Sequence, residues 1–114
     1  MLPTQLKPKQ ALNKAFLKVK PNRTEIEGFK NNLINLLDRT NDTESEEFHK
    51  NLVSDFLKDT YYKGTNEINT RGNYDLVIHQ NLSANSPVSV IAEVKRPSNN
   101  AEMISVQNPN TKAL

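Results

Sequence analysis

The chain has 114 residues, which fits one small domain. It has no Cys, which excludes a disulfide scaffold and a thiolate zinc site and fits a reducing, cytoplasmic compartment. Lys and Arg number 15 against 13 Asp and Glu, so a nucleic-acid-binding patch must be local. No apolar run approaches the ~18 residues of a transmembrane helix, and the N-terminus lacks the apolar stretch of a secretory signal. We therefore expect no membrane partner.

The first twenty residues predict an irregular arm followed by a short helix. Residues 1–9 hold two prolines and little apolar material. Between Lys9 and Lys20 the apolar residues recur at helical spacing, which predicts an amphipathic helix. Pro21 ends this pattern, because proline lacks the N–H that a helix interior needs.

Two further helices are predicted before residue 60. Asn22 is a suitable N-cap for a helix of roughly five turns that ends near residues 40–42. The next helix begins after Thr43 or Ser45, with two glutamates in its first turn, where carboxylates interact favourably with the helix dipole. We expect this third helix to pack on one face of the sheet.

The second half of the chain predicts strands. A short strand is possible at residues 67–70, and clear strands follow at Tyr74–His79 and Val88–Lys95. Residues 98–111 carry no strong period, and residues 112–114 read as the first turn of a helix. The expected fold class is therefore α+β (α/β), with N-terminal helices packed on a small mixed β-sheet.

Opposite charges lie inside the second clear strand. Because strand side chains alternate between faces, Glu93 and Lys95 share one face, and Asp75 lies on one face of the preceding strand. If the two strands pair as a hairpin, all three side chains can meet. Such a cluster at the edge of a core costs desolvation energy unless a partner compensates, and a divalent cation is one such partner. The alternative is a surface salt bridge at a strand end.

The same residues suit phosphodiester hydrolysis. Two carboxylates, the Val94 carbonyl and water molecules form an oxygen site of the kind Mg²⁺ prefers. A bound metal lowers the pKa of its water ligand and offsets charge on a phosphate. Lys95 can orient or deprotonate the attacking water.

Asp75 followed by Glu93–Val94–Lys95 resembles the motif of the PD-(D/E)xK nuclease superfamily. One departure is Tyr74, which stands where the motif has proline. The resemblance implies a restriction-endonuclease-like fold and a type II restriction-endonuclease-like activity that depends on Mg²⁺. It also implies a further carboxylate on the preceding helix, for which Glu47 is the candidate catalytic and metal-binding residue and Glu46 the alternative.

More narrowly, residues 6–13, 48–57 and 91–97 resemble the N-terminal nuclease region of bacterial type IIG fused restriction–modification enzymes. This implies double-stranded DNA as partner, and a fold that is incomplete here. S-adenosylmethionine would belong only to the methyltransferase part, whose Asn-Pro-Pro-Tyr-type motif this chain lacks. We expect one domain overall, with helices in residues 1–43 and the nuclease core in 44–114, and homodimer or fragment association through the truncated edge.

Polar residues flank the proposed site and can contact phosphates irrespective of base sequence. These are Lys63, Asn69, Arg71, Asn73 and Arg96. The alternative for each is a solvated loop face. The sequence predicts a structural role for His79 and a solvated position for His49. Two other functions remain open, namely a nuclease-fold domain that binds nucleic acid without cutting, and a helical interaction module with a fortuitous motif.

Overall fold

The computed structural model describes residues 4–102 and gives a small α+β fold. The helices are α1 (Pro8–Ala11), α2 (Arg23–Arg39) and α3 (Glu46–Leu57). Short helical turns lie at Lys14–Lys18 and Asn100–Glu102, and a π-helical turn at Lys58–Tyr62 continues α3. The strands are β1 (Ile68–Arg71), β2 (Tyr74–His79) and β3 (Val88–Ala92).

Residues 4–20, here called the arm, do not form the single helix that the apolar spacing predicted. The α1 helix ends at Ala11, and Asn13 begins a separate 3₁₀ turn, its side chain accepting a hydrogen bond from the Ala15 N–H at 3.0 Å. Asn favours such a cap over a helix interior. Every residue of the arm is exposed, so no packing of its apolar side chains opposes this break.

The second and third predicted helices are confirmed, and their caps explain where they begin. The Asn22 side chain accepts a hydrogen bond from the Glu25 N–H at 2.8 Å, and Ser45 Oγ accepts one from the Phe48 N–H at 3.0 Å. Each bond satisfies one of the free N–H groups at a helix start. The two helices pack together, and their Phe29 and Phe56 rings meet edge to face at 6.0 Å.

The three strands form one sheet in the order β1-β2-β3, and all pairs within residues 4–102 are antiparallel. The expectation of a mixed sheet is therefore wrong for this part of the chain. Gly72, with φ of 60°, supports the tight turn between β1 and β2. Both connections are shorter than the dozen or more residues that a parallel crossover needs.

One face of the sheet forms the core. It contributes Ile68, Leu76, Ile78 and Val94, and α3 and its π-helical turn cover this face with Val53, Leu57 and Tyr62. The predicted packing of the third helix on the sheet is confirmed. Among residues 4–102, no helix has the length and apolar character needed to cross a bilayer. The helix start expected at residues 112–114 lies outside the described residues.

Candidate active site

The last strand ends earlier than its β-branched sequence predicted. The β3 strand stops at Ala92, so residues 93–95 lie beyond the ladder instead of inside it. The physical reason is a side-chain contact. The Val94 N–H donates to Asp75 Oδ2 at 2.9 Å, which takes the place of a backbone partner on β2. Asp75 therefore holds the chain that carries Glu93 and Lys95 against the start of β2.

The strand register brings Asp75 and Glu93 together. Leu76 pairs with Ala92. Asp75 precedes Leu76 and Glu93 follows Ala92, so these two residues lie opposite each other at the end of the hairpin. Desolvation raises the pKa of Glu93. The Asp75 carboxylate raises it further, by repulsion and by accepting a hydrogen bond from protonated Glu93, while Lys95 opposes the shift. The two carboxyl groups are thus neighbours at the end of the hairpin, and their charges act on each other.

Lys95 lies between two carboxylates from other elements. Its Nζ is 3.9 Å from Glu46 Oε1 on α3 and 3.6 Å from Glu102 Oε2 on the last helical turn. Its side chain is 19% exposed, so the ammonium group is held near the protein surface by neighbours of opposite charge. We call Asp75, Glu93, Lys95 and Glu46 the strand-end cluster.

In the structure the Glu46 side chain lies at this cluster, and the Glu47 side chain pairs with a different residue. Glu47 Oε2 forms an ion pair with Lys50 Nζ at 2.8 Å, one turn further along α3. The charge of Glu46, in contrast, contributes to the raised pKa of Glu93. Neighbouring helix positions point about 100° apart, so the two side chains cannot serve the same site. The geometry favours the alternative, Glu46, as the helix carboxylate.

Glu102 is a neighbour of the cluster that sequence reasoning missed. Its Oε2 accepts a hydrogen bond from Asn99 Nδ2 at 2.6 Å, and this bond, followed by the charge of Lys95, lowers the pKa of the carboxyl group. Residues 98–102 carry no periodic pattern, so the sequence holds no signal that would have placed this residue beside Lys95.

Three of the proposed phosphate-contacting residues surround the cluster. Arg71 and Asn73 are exposed at the β1–β2 turn, which leads directly into the start of β2. Arg96 is exposed and follows Lys95. Two of these three exposed side chains, Arg71 and Arg96, are cationic.

The other two proposed phosphate-contacting residues lie elsewhere. Asn69 Oδ1 is 3.2 Å from His79 Nε2, so its amide belongs to an internal network. His79 is fully buried, and its Nδ1 lies 2.8 Å from the Ser86 carbonyl oxygen, which fits the structural role predicted for it. Lys63 is exposed and precedes the segment that bonds to the far end of β2, where the Glu67 carbonyl accepts from the His79 N–H.

His49 is buried, and its predicted solvated position is wrong. Its Nδ1 lies 2.8 Å from the Ser45 carbonyl oxygen, and its Nε2 accepts a hydrogen bond from the Asn41 N–H at 3.2 Å. The imidazole thereby ties the α2–α3 connection to α3. Both ring nitrogens have partners, so His49 is part of the fold and is not available to the strand-end cluster.

The residues present suit a magnesium ion with few protein ligands. In the described range 4–102, no three His, Cys, Asp or Glu side chains converge on one metal position. Asp75 and Glu93 supply two carboxylates, and Mg²⁺ is commonly bound by one or two carboxylates while keeping several waters. Glu46 Oε1 lies 3.9 Å from Lys95 Nζ, so this third carboxylate neighbours the site through the lysine.

Comparisons with known proteins supply a family and no activity. No curated protein and no solved structure matches the chain. The family model of a domain of unknown function, DUF7149, matches residues 6–114, which include the whole strand-end cluster. The chain therefore belongs to the DUF7149 family.

Proposed function

We propose that this domain is a Mg²⁺-dependent DNA endonuclease of the PD-(D/E)xK kind, part of a restriction–modification enzyme. One observation carries the proposal. Asp75 and Glu93 lie opposite each other at the end of two antiparallel strands, the Asp75 charge raises the pKa of Glu93, and Lys95 follows two residues later. Two neighbouring like charges repel each other, and a divalent cation between them removes that cost. The order Asp, then Glu-x-Lys, is the one that the resemblance to these nucleases requires.

Each residue of the cluster has a distinct role in this proposal. Asp75 and Glu93 would hold the metal ion, which would lower the pKa of a water molecule beside it and offset negative charge on the phosphate. Lys95 positions the attacking water, and Glu46 in turn positions the Lys95 ammonium group. Arg71, Asn73 and Arg96 contact neighbouring phosphates.

The reaction is hydrolysis of one phosphodiester bond. Water attacks phosphorus in line with the leaving oxygen, the bond to the 3′ oxygen breaks, and a proton ends on that oxygen. The products are a 5′-phosphate and a 3′-hydroxyl. The side chains of the cluster orient the water and offset charge as it develops, which is where preorganised groups contribute most to catalysis.

Cleavage of supercoiled plasmid DNA tests the proposal. We expect nicked or linear product with Mg²⁺ and none with EDTA. Asp75→Asn and Glu93→Gln should abolish the product, because each removes a charge that the metal needs. Glu27→Gln is the matched control, since this carboxylate pairs with Arg23 on α2 at 3.0 Å, away from the cluster. Cleavage that survives in Glu93→Gln would reject the assignment.

A second pair of variants tests the choice of helix carboxylate. Glu46→Gln should slow cleavage, because Glu46 contacts Lys95, whereas Glu47→Gln should leave the rate within about twofold of the wild type, as for ordinary surface sites. The reverse pattern would restore Glu47 as the functional residue.

A further inference from the structure

The arm carries apolar side chains that nothing in its own fold covers. Phe16 is 64% exposed and Val19 is 67% exposed, and Leu12 and Leu17 are also exposed. These four residues lie within eight positions of one another. Apolar side chains exposed together in this way indicate an interaction surface in a soluble protein.

A groove of matching character lies between α2 and the π-helical turn. It encloses a cavity of about 550 Å³, and its walls include Ile26, Phe29, Thr60 and Tyr61. Ile26 is 51% exposed and Tyr61 is 54% exposed, so the walls are open to a ligand. The Phe56 ring packs beneath, 6.0 Å from Phe29 and 6.3 Å from Tyr61. We call this feature the α2 groove.

The charges of the arm and of the α2 groove are complementary. The arm interleaves Lys14, Lys18 and Lys20 with its apolar side chains. The groove is lined on its polar side by Glu25 and Asp59. A basic apolar segment placed in an apolar groove with acidic residues gains both burial and electrostatic attraction, which is how partners select one another.

We propose that the arm of one copy docks in the α2 groove of a second copy, in a reciprocal exchange that gives a symmetric dimer. The arm does not cover its own groove. The residues that line the groove begin at Pro21, and none of them belongs to the arm. Exchange of an identical element between protomers is a low-cost route to a two-fold dimer.

A reciprocal exchange lowers the area that each contact has to bury. A dimer contains two arm–groove contacts, so each needs to bury only half of the roughly 1,200–2,000 Å² that specific interfaces bury in total. Each arm offers four exposed apolar side chains to its contact.

Sedimentation equilibrium over a range of protein concentrations tests this inference. Wild-type protein should dimerise, and Phe16→Asp in the arm or Ile26→Asp in the groove should each raise the dimer dissociation constant at least about tenfold. Leu82→Asp is the matched control, an exposed apolar residue in the β2–β3 connection that should leave the dimer intact. A wild-type chain that stays monomeric would overturn the proposal. The same holds if the arm folds into the groove of its own copy.

Mixing the two variants separates arm–groove docking from other dimers. The Phe16→Asp copy keeps an intact groove, and the Ile26→Asp copy keeps an intact arm, so a mixture should form heterodimers through one contact. No association in the mixture would indicate arm–arm or groove–groove contact and reject the proposal. Charge reversal adds a second check. Lys18→Glu should weaken the dimer, and combining it with Asp59→Lys should restore binding.

Discussion

The strand-end cluster and the arm differ in the chemical character of their side chains near the surface. At the strand end, charged groups lie side by side, and the Asp75 charge raises the pKa of the exposed Glu93. In the arm, apolar side chains such as Phe16 and Val19 face solvent. The cluster is fixed by hydrogen bonds and ion pairs within the fold, whereas the arm has no buried residue.

The contrast between the charged cluster and the apolar arm indicates two different kinds of binding partner. Neighbouring like charges are relieved by a small ion of opposite charge, so the cluster is suited to a divalent cation. Exposed apolar side chains are removed from water only when they contact other apolar surface, so the arm is suited to binding a macromolecule. The hydrogen-bonded strand end therefore carries the proposed chemistry, and the exposed arm carries the proposed assembly contact.

The largest expected effect is on cleavage. Lys95→Ala should reduce the cleavage rate by about 10²–10⁴-fold, which is the range for a positioned side chain acting on a proton in the transition state. Lys30→Ala, a change of an exposed α2 lysine, is the control and should leave the rate unaltered. Single-turnover measurements at saturating Mg²⁺ check this. An unaltered rate in Lys95→Ala would remove Lys95 from the site.

The next largest effect is on the free energy of unfolding, which should depend on the sheet and not on the arm. Leu76→Ala should lower the free energy of unfolding by about 2–5 kcal/mol, because Leu76 is buried against α3 and truncation leaves a cavity. Phe16→Ala should change it by less than about 0.5 kcal/mol at concentrations where the protein is monomeric. Urea denaturation followed by circular dichroism measures both. Equal losses would show that the arm packs on its own fold.

A smaller effect is expected at the start of α3. Ser45→Ala should lower the free energy of unfolding by about 1 kcal/mol, because Ser45 Oγ accepts the Phe48 N–H in the first turn. Ser89→Ala, at an exposed position of β3, is the control and should stay within about 0.5 kcal/mol of the wild type. A cost in Ser45→Ala no larger than that of the control would mean that the cap does not stabilise α3.

The smallest effect concerns pH. The raised pKa of Glu93 means that folding favours its protonated form. Its stabilising contribution is therefore complete below the ordinary value of 4.5 and is lost as the pH rises through the raised value. Without divalent cations, Glu93→Gln should unfold at a higher temperature than the wild type at neutral pH, and at the same temperature near pH 4. A gap that persists in acid would contradict this.

Local signals were enough to predict much of the fold. Asn22 and the glutamates after Ser45 mark helix starts through side-chain chemistry, and residues 74–79 mark a strand through composition, so each depends on few neighbours. The arm was misjudged because its apolar spacing alone cannot show whether a surface exists for it to pack on. Periodicity reports which side chains would share a face, and packing decides whether a helix persists.

The prediction of the candidate site depends on strand pairing and on the rotation of a helix. Antiparallel pairing places Asp75 opposite Glu93, whereas Lys95 lies beyond the end of β3, where strand alternation no longer sets the direction of its side chain. The choice between Glu46 and Glu47 depends on the rotation of α3 about its axis, which tertiary packing sets and no local pattern encodes. Glu102 approaches from an irregular segment, so its position depends wholly on the folded chain.

Asp75 has two separable properties, its negative charge and its shape as a hydrogen-bond acceptor. The acceptor ends β3 by binding the Val94 N–H, and the charge faces Glu93. Replacement by Asn keeps an oxygen that can still accept from Val94 while removing the charge, whereas Ala removes both and frees Val94 to extend the ladder. Asp75→Asn thus tests the charge alone, with the path of residues 93–95 unchanged. Asp75→Ala would change the charge and the direction of the Lys95 side chain together.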